Sequence, residues 1–147
     1  MPSQEQISKE LLDAMKAKDA VKVSTLRMLI AAFRNKEIAK NKTLAEGDIL
    51  DVIQAEAKKR REAMTEYTKV NRADLSAKEE AEFNVLKVYL PESLSEAELK
   101  TLAQTAIQTV GAKGPQDMGK VMSQLMPQIK GRADGKQAQD IVKQLLT

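Results

Sequence analysis

The sequence predicts an all-α protein: an N-terminal four-helix bundle-like lobe joined to a small three-helix tail domain. Three observations lead there. Ser or Thr is followed three residues later by Gln or Glu at Ser3/Gln6, Thr43/Glu46, Ser76/Glu79 and Ser95/Glu98. That is the spacing of a capping box, in which two side chains satisfy free N–H groups at the start of a helix. Apolar residues at helical spacing follow each pair, and no run alternates apolar and polar residues over a strand's length. The apolar palette is aliphatic, with seven Met, two Phe, two Tyr and no Trp, which suits helices better than sheets.

Taken in order, the first helix is expected from about Gln4 to Lys18, with Ile7, Leu11, Leu12 and Met15 inward. Asp19 caps a second, to about Lys40, with Leu26, Leu29, Ile30 and Phe33 as its stripe. The third runs from Leu44 to about Val70 through Ile49, Leu50, Ile53, Ala57, Met64 and Tyr67. Asn71 lies in a polar turn, and Ser76 opens a fourth helix with Phe83, Leu86, Tyr89 and Leu90 inward. Pro91 disfavours helix at Leu90. The segment Tyr89 to Leu94 therefore reads as a hinge, dividing an N-terminal helical domain, 1–90, from a tail domain, 91–147.

In the tail, Ser95 to Val110 is expected to form a helix on Leu99, Leu102, Ala103, Ala106, Ile107 and Val110, stopped by Gly111. Gly114 and Pro115 start a short helix with Met118, Val121, Met122 and Leu125 on one face, ending at Pro127. Asp134 caps the last helix, whose stripe is Ala138, Ile141, Val142 and Leu145.

Composition narrows the chemistry. Without Cys there is no disulfide, thiol nucleophile or thiolate-held cluster; without His the commonest general base and metal ligand are missing. The Glu79, Glu80 and Glu82 trio lacks metal-loop spacing, and no P-loop or dinucleotide fingerprint occurs. The expectation is no catalytic residue, no metal and no cofactor. The N-terminus has no apolar leader core and no apolar run is long enough for a membrane span. A cytoplasmic protein without membrane contact is expected. A net charge of +3 is only mildly basic, so any nucleic-acid contact must come from a local patch.

The stretch from Asp117 to Lys136 offers that patch. Its loop, KGRADGK, sets Lys130, Arg132 and Lys136 around Gly131 and Gly135, just before a helix N-terminus. Cations, free N–H groups and close backbone approach together suit phosphate oxygens. The same loop also reads as an ordinary solvated helix connection, and Asp134 competes for the N–H groups an anion needs. Lys120 can join the patch, while Gly119, inside a helix, reads first as a site of tight helix packing. Lys58 and Arg61, from the run KKRR, are secondary RNA contacts or simply solvated charge. Arg27 and Arg34 line a groove or snorkel from the edge of the core. Met118, Met122 and Met126 fill a core or form an adaptable partner groove.

Three motifs carry a family resemblance: LRMLIAAFRNKEI from Leu26, EEAEFNVLKVYLPESLSEAEL from Glu79 and DMGKVMSQLMPQIKGRADG from Asp117. With them, essentially the whole chain resembles the YqeY family of small bacterial proteins. Its tail is similar to the tail domain of the GatB component of the tRNA-dependent amidotransferases. The resemblance implies a helical bundle plus a tail that contacts tRNA without doing chemistry, its basic motif falling on Lys120, Lys130, Arg132 and Lys136. The implied partners are tRNA or other structured RNA, components of a tRNA amidotransferase, or an aminoacyl-tRNA synthetase. Two alternatives stand beside it: a carbon–nitrogen ligase component with glutamine as amido donor, and a protein-interaction module that never touches RNA.

Overall fold

A computed structural model describes residues 2–147, and all regular structure among them is helical. The helices are α1 (Gln4–Lys16), α2 (Ala20–Lys40), α3 (Glu46–Lys69), α4 (Ala73–Lys87), α5 (Glu96–Val110), α6 (Met118–Ile129) and α7 (Gly135–Leu146), with a single 3-10 turn at Pro115–Asp117. Cα proximity divides the chain into two compact units, Met1–Leu90 and Pro91–Thr147.

In the first unit α3 and α4 form the most extensive pair, α1 packs on α2, and α2 touches both α3 and α4. Leu26, Leu29, Phe33, Ile53 and Leu86 meet in its core with Ile7. Asp19 caps α2 through its side chain, accepting from the Lys22 amide at 3.2 Å. Ser3 likewise caps α1. Tyr89 is buried, and its hydroxyl donates to the Glu10 carboxylate, tying the unit's last residues to α1. Burial first, and then that hydrogen bond, push the phenol's pKa well up.

Four expectations need correction here. Thr43 does not cap α3; Ala45 holds the N-cap position, because the Asp48 carboxylate accepts from the Ala45 amide at 3.0 Å and also pairs with Lys40. Ser76 does not open α4. The helix starts a turn earlier, at Ala73, beside an Arg72–Asp74 ion pair, and the Ser76 amide bonds back to Arg72 inside it. The first helix ends at Lys16, where Lys18 turns the chain with φ 57°. Leu12 and Met15 are not inward: α1 buries Ile7 and Ala14, spaced seven apart, which leaves Leu12 58% and Met15 44% exposed.

The second unit packs α5 against both α6 and α7, with Leu99, Ala103, Val121, Leu125, Ile129 and Val142 inside. Ser95 and Glu98 form the full capping box at 3.1 and 2.8 Å. Gly111 closes α5 in the left-handed conformation, φ 66°. Pro127 does not end α6, which runs on to Ile129. Proline deletes one hydrogen bond near the end of the helix, whereas two further residues carry Ile129 to complete burial, worth about 2 kcal/mol.

Candidate nucleic-acid interface

The loop between α6 and α7 is fixed by three backbone bonds. The Arg132 and Ala133 amides both donate to the Ile129 carbonyl, at 2.8 and 3.1 Å, and the Arg132 carbonyl accepts from the Leu94 amide at 2.7 Å. Gly131 makes the turn with φ 78°, a conformation that costs a residue with a Cβ. Gly135 is different. It has no left-handed φ, and an added Cβ would meet only the Met126 side chain, its methyl at 3.7 Å and its sulfur at 4.0 Å.

The predicted cations separate into two roles. Lys130 and Lys136 are exposed on either side of the turn. Arg132 is half-buried, and its Nε donates to the Glu92 carbonyl at 3.2 Å. It holds the segment entering α5 against the loop, so the planar fork expected to grip phosphate is partly occupied. Its charge also helps hold the Glu98 carboxyl below its ordinary pKa, after the larger effects of the Ser95 amide and hydroxyl. Lys120 projects from the first turn of α6, its ammonium 4.0 Å from the Asp117 carboxylate and largely exposed.

Asp134 does what its position threatened. Its carboxylate accepts from the Lys136 amide at 3.2 Å, capping α7. An incoming anion therefore meets side-chain cations rather than an open helix N-terminus. Residues 91–147 carry seven basic and six acidic side chains, so any attraction for a polyanion is local rather than spread over the unit. Gly119 is not a packing site: nothing lies within 4 Å of the place its Cβ would take.

The KKRR run is dispersed. Lys58 lies 3.9 Å from Glu62, Lys59 3.1 Å from Glu56, and Arg61 stacks 5.8 Å from the Phe83 ring centroid. Both secondary candidates, Lys58 and Arg61, are exposed. Arg60 is the surprise. It is only 7% exposed, bonds to the Glu56 carboxylate and, at 3.2 Å, to the Glu56 carbonyl, and reaches Met28 Sδ at 3.5 Å. Its Nε lies 3.7 Å from the buried Glu82 carboxylate without completing a hydrogen bond. Burial and then the Glu82 charge raise the pKa of neighbouring Glu79. Two sequence signals pointed to this cluster: Glu56 and Arg60 form an i,i+4 pair of opposite charge, and Arg60 continues the Ile53 and Ala57 stripe at helical spacing.

Other chemistry is sparse. Among the described residues no group of three or more acidic, thiol or imidazole side chains is placed to hold a metal ion. No helix among them is long and apolar enough to cross a membrane. A shallow depression of about 220 Å³, lined by Glu96, Lys100, Ile141, Gln144 and Leu145, is below the roughly 300–1,000 Å³ of small-molecule sites.

Relatives are found among fungal proteins. An uncharacterized protein of Schizosaccharomyces pombe is 33% identical over 89 residues, covering 60% of this chain and 72% of that protein. "Altered inheritance of mitochondria protein 41, mitochondrial" of Lachancea thermotolerans is 38% identical over 96 residues, 63% of this chain and 51% of the relative. The protein of the same name in Pyrenophora tritici-repentis is 29% identical over 126 residues, 84% and 69%. The chain thus spans about half the length of several of these mitochondrial relatives. The profile of the Yqey-like proteins matches residues 4–146, from the first residue of α1 to the last of α7, and the chain belongs to that family.

Proposed function

We propose that this protein is a non-catalytic RNA-binding accessory of tRNA-dependent amidation, holding phosphates of structured RNA, tRNA foremost, through the α6–α7 loop. The supporting observation is the pinned loop: Lys130 and Lys136 are exposed on a turn whose backbone is already fixed by the Ile129 and Leu94 hydrogen bonds. A loop ordered before binding loses little conformational freedom on binding. Lys120 adds a third exposed cation one helix earlier. With two Phe, two Tyr and no Trp, base stacking is a minor contribution, which favours folded RNA over single strands.

Anisotropy with labelled tRNA tests this reading. Lys130→Glu with Lys136→Glu is expected to weaken binding by about tenfold or more, by placing like charge against phosphate, while Lys58→Glu leaves affinity nearly unchanged. Equal affinity in the loop variant would overturn it. Supplying misacylated tRNA, glutamine and ATP to the isolated chain tests the ligase alternative; product formed without any other protein favours that alternative. The relatives' names carry a mitochondrial location. For this chain the proposal is an aqueous compartment where aminoacyl-tRNA is amidated, cytoplasmic or mitochondrial, and fractionation decides which.

A further inference from the structure

The α1–α2 hairpin exposes apolar side chains beside unpaired cations. Leu12 is 58% exposed, Met15 44% and Ile38 77%. Arg27 and Arg34 are exposed on α2, and among the described residues neither has an ion pair or hydrogen bond. Across Ala20–Lys40 there are five basic residues and one acid, Glu37, and that acid accepts from Gln4 Nε2 at 2.9 Å.

Helical geometry gathers these residues. The Gln4–Glu37 bond sets the start of α1 beside the end of α2, so the helices run antiparallel. Rotation of about 100° per residue puts Arg27, Arg34 and Ile38 within an arc of roughly 40° on α2, about 60–100° outward of Glu37. The same rotation puts Met15 about 20° and Leu12 about 80° outward of Gln4 on α1. The two flanks adjoin and form the walls of one open groove.

We infer that this groove docks an amphipathic helix of a partner protein bearing carboxylates seven residues apart. Arg27 and Arg34 are two turns apart, about 10 Å along the axis. A helix lying in the groove has the same rise, so acids at that spacing meet both guanidiniums. Its apolar residues between the acids then cover Leu12, and those beside and beyond them reach Met15 and Ile38. An RNA strand fits poorly, because its phosphates would face three apolar side chains that it cannot bury. A second copy related by a two-fold axis through this face would set Arg27 and Arg34 against their own counterparts, which is repulsive. This site lies on the first unit and does not depend on the RNA reading of the tail.

The test uses the full chain and two designed helical peptides of roughly 18 residues, long enough to form helix on a surface. Both carry leucines at helical spacing; one has glutamates flanking them seven apart, the other lysines. The glutamate peptide is expected to bind, and Arg27→Glu with Arg34→Glu to weaken it by about tenfold or more. The charge-reversed chain should gain binding to the lysine peptide, a result that misfolding cannot produce. Leu12→Ser with Met15→Ser should weaken both combinations. Equal binding of the two peptides, or no binding of either, overturns the inference. So does a dimer in sedimentation that the arginine reversal dissociates, or tRNA affinity lost through the same reversal.

Discussion

The Arg132 carbonyl and the Leu94 amide, 2.7 Å apart, join the α6–α7 loop to the segment that enters α5. The Arg132 side chain adds a second tie, to the Glu92 carbonyl. Arg132→Ala is therefore expected to lower stability by about 1 kcal/mol, the usual net value of such a bond. Lys130→Ala and Lys136→Ala, at exposed positions, should change it by less than about 0.5 kcal/mol. Thermal melts of the three variants check the order; an Arg132→Ala protein as stable as the lysine variants would refute the clamp.

Arg60 makes a sharper prediction for the first unit. Arg60→Ala leaves Glu82 buried without a cation and Glu56 with the exposed Lys59 alone, and should cost about 3 kcal/mol. Arg60→Met combined with Glu82→Leu removes both charges at similar volume and should cost far less. Urea midpoints of the two proteins measure the difference.

Two glycines should respond in opposite directions. Gly119 has ordinary helical geometry and open space around it, so Gly119→Ala should stabilise by roughly 0.5–1 kcal/mol. Gly131, at φ 78°, should lose about 1 kcal/mol as Ala, because a Cβ is strained there. Melting temperatures on the same scan report both signs.

Acid stability divides by carboxyl. Asp48, Asp74 and Glu98 have folded pKa values below ordinary ones, held down first by the Lys40 side chain, the Arg72 side chain and the Ser95 amide respectively. Their contribution is present above about pH 4 and is lost as pH falls through the lowered values. Glu79 is raised, by burial first and Glu82 second. Its contribution runs the other way: present at low pH, lost as pH rises through its folded value. Glu98→Gln should flatten the acid limb, and Glu79→Gln should raise stability at neutral pH relative to acid. Urea midpoints at about pH 2 and pH 7 test both, since they bracket the ordinary carboxyl range and the values lowered beneath it.

The sequence foretold these elements best where local chemistry decides alone. Asp19, Ser95, Gly111 and Asp134 cap the helices they were expected to cap. Thr43 and Ser76 carry the same signature but lose to nearby ion pairs, the Lys40–Asp48 pair on either side of Thr43 and the Arg72–Asp74 pair just before Ser76. Pro127 is overridden by the burial of Ile129. At the loop, the position of Gly131 and the competition from Asp134 were legible. The clamp by Arg132 was not, because its partners Glu92 and Leu94 lie across the tail domain. Arg60 was hidden inside a run that looks solvated until the α3 stripe is followed through it.

The proposal that the tail grips RNA is tested most directly by the salt dependence of tRNA affinity. Three exposed lysines predict a slope of log K against log salt of about −2 to −3. Lys120→Ala, Lys130→Ala and Lys136→Ala together should bring that slope close to zero with the helical content unchanged. A slope that stays the same in the folded triple variant would contradict the account.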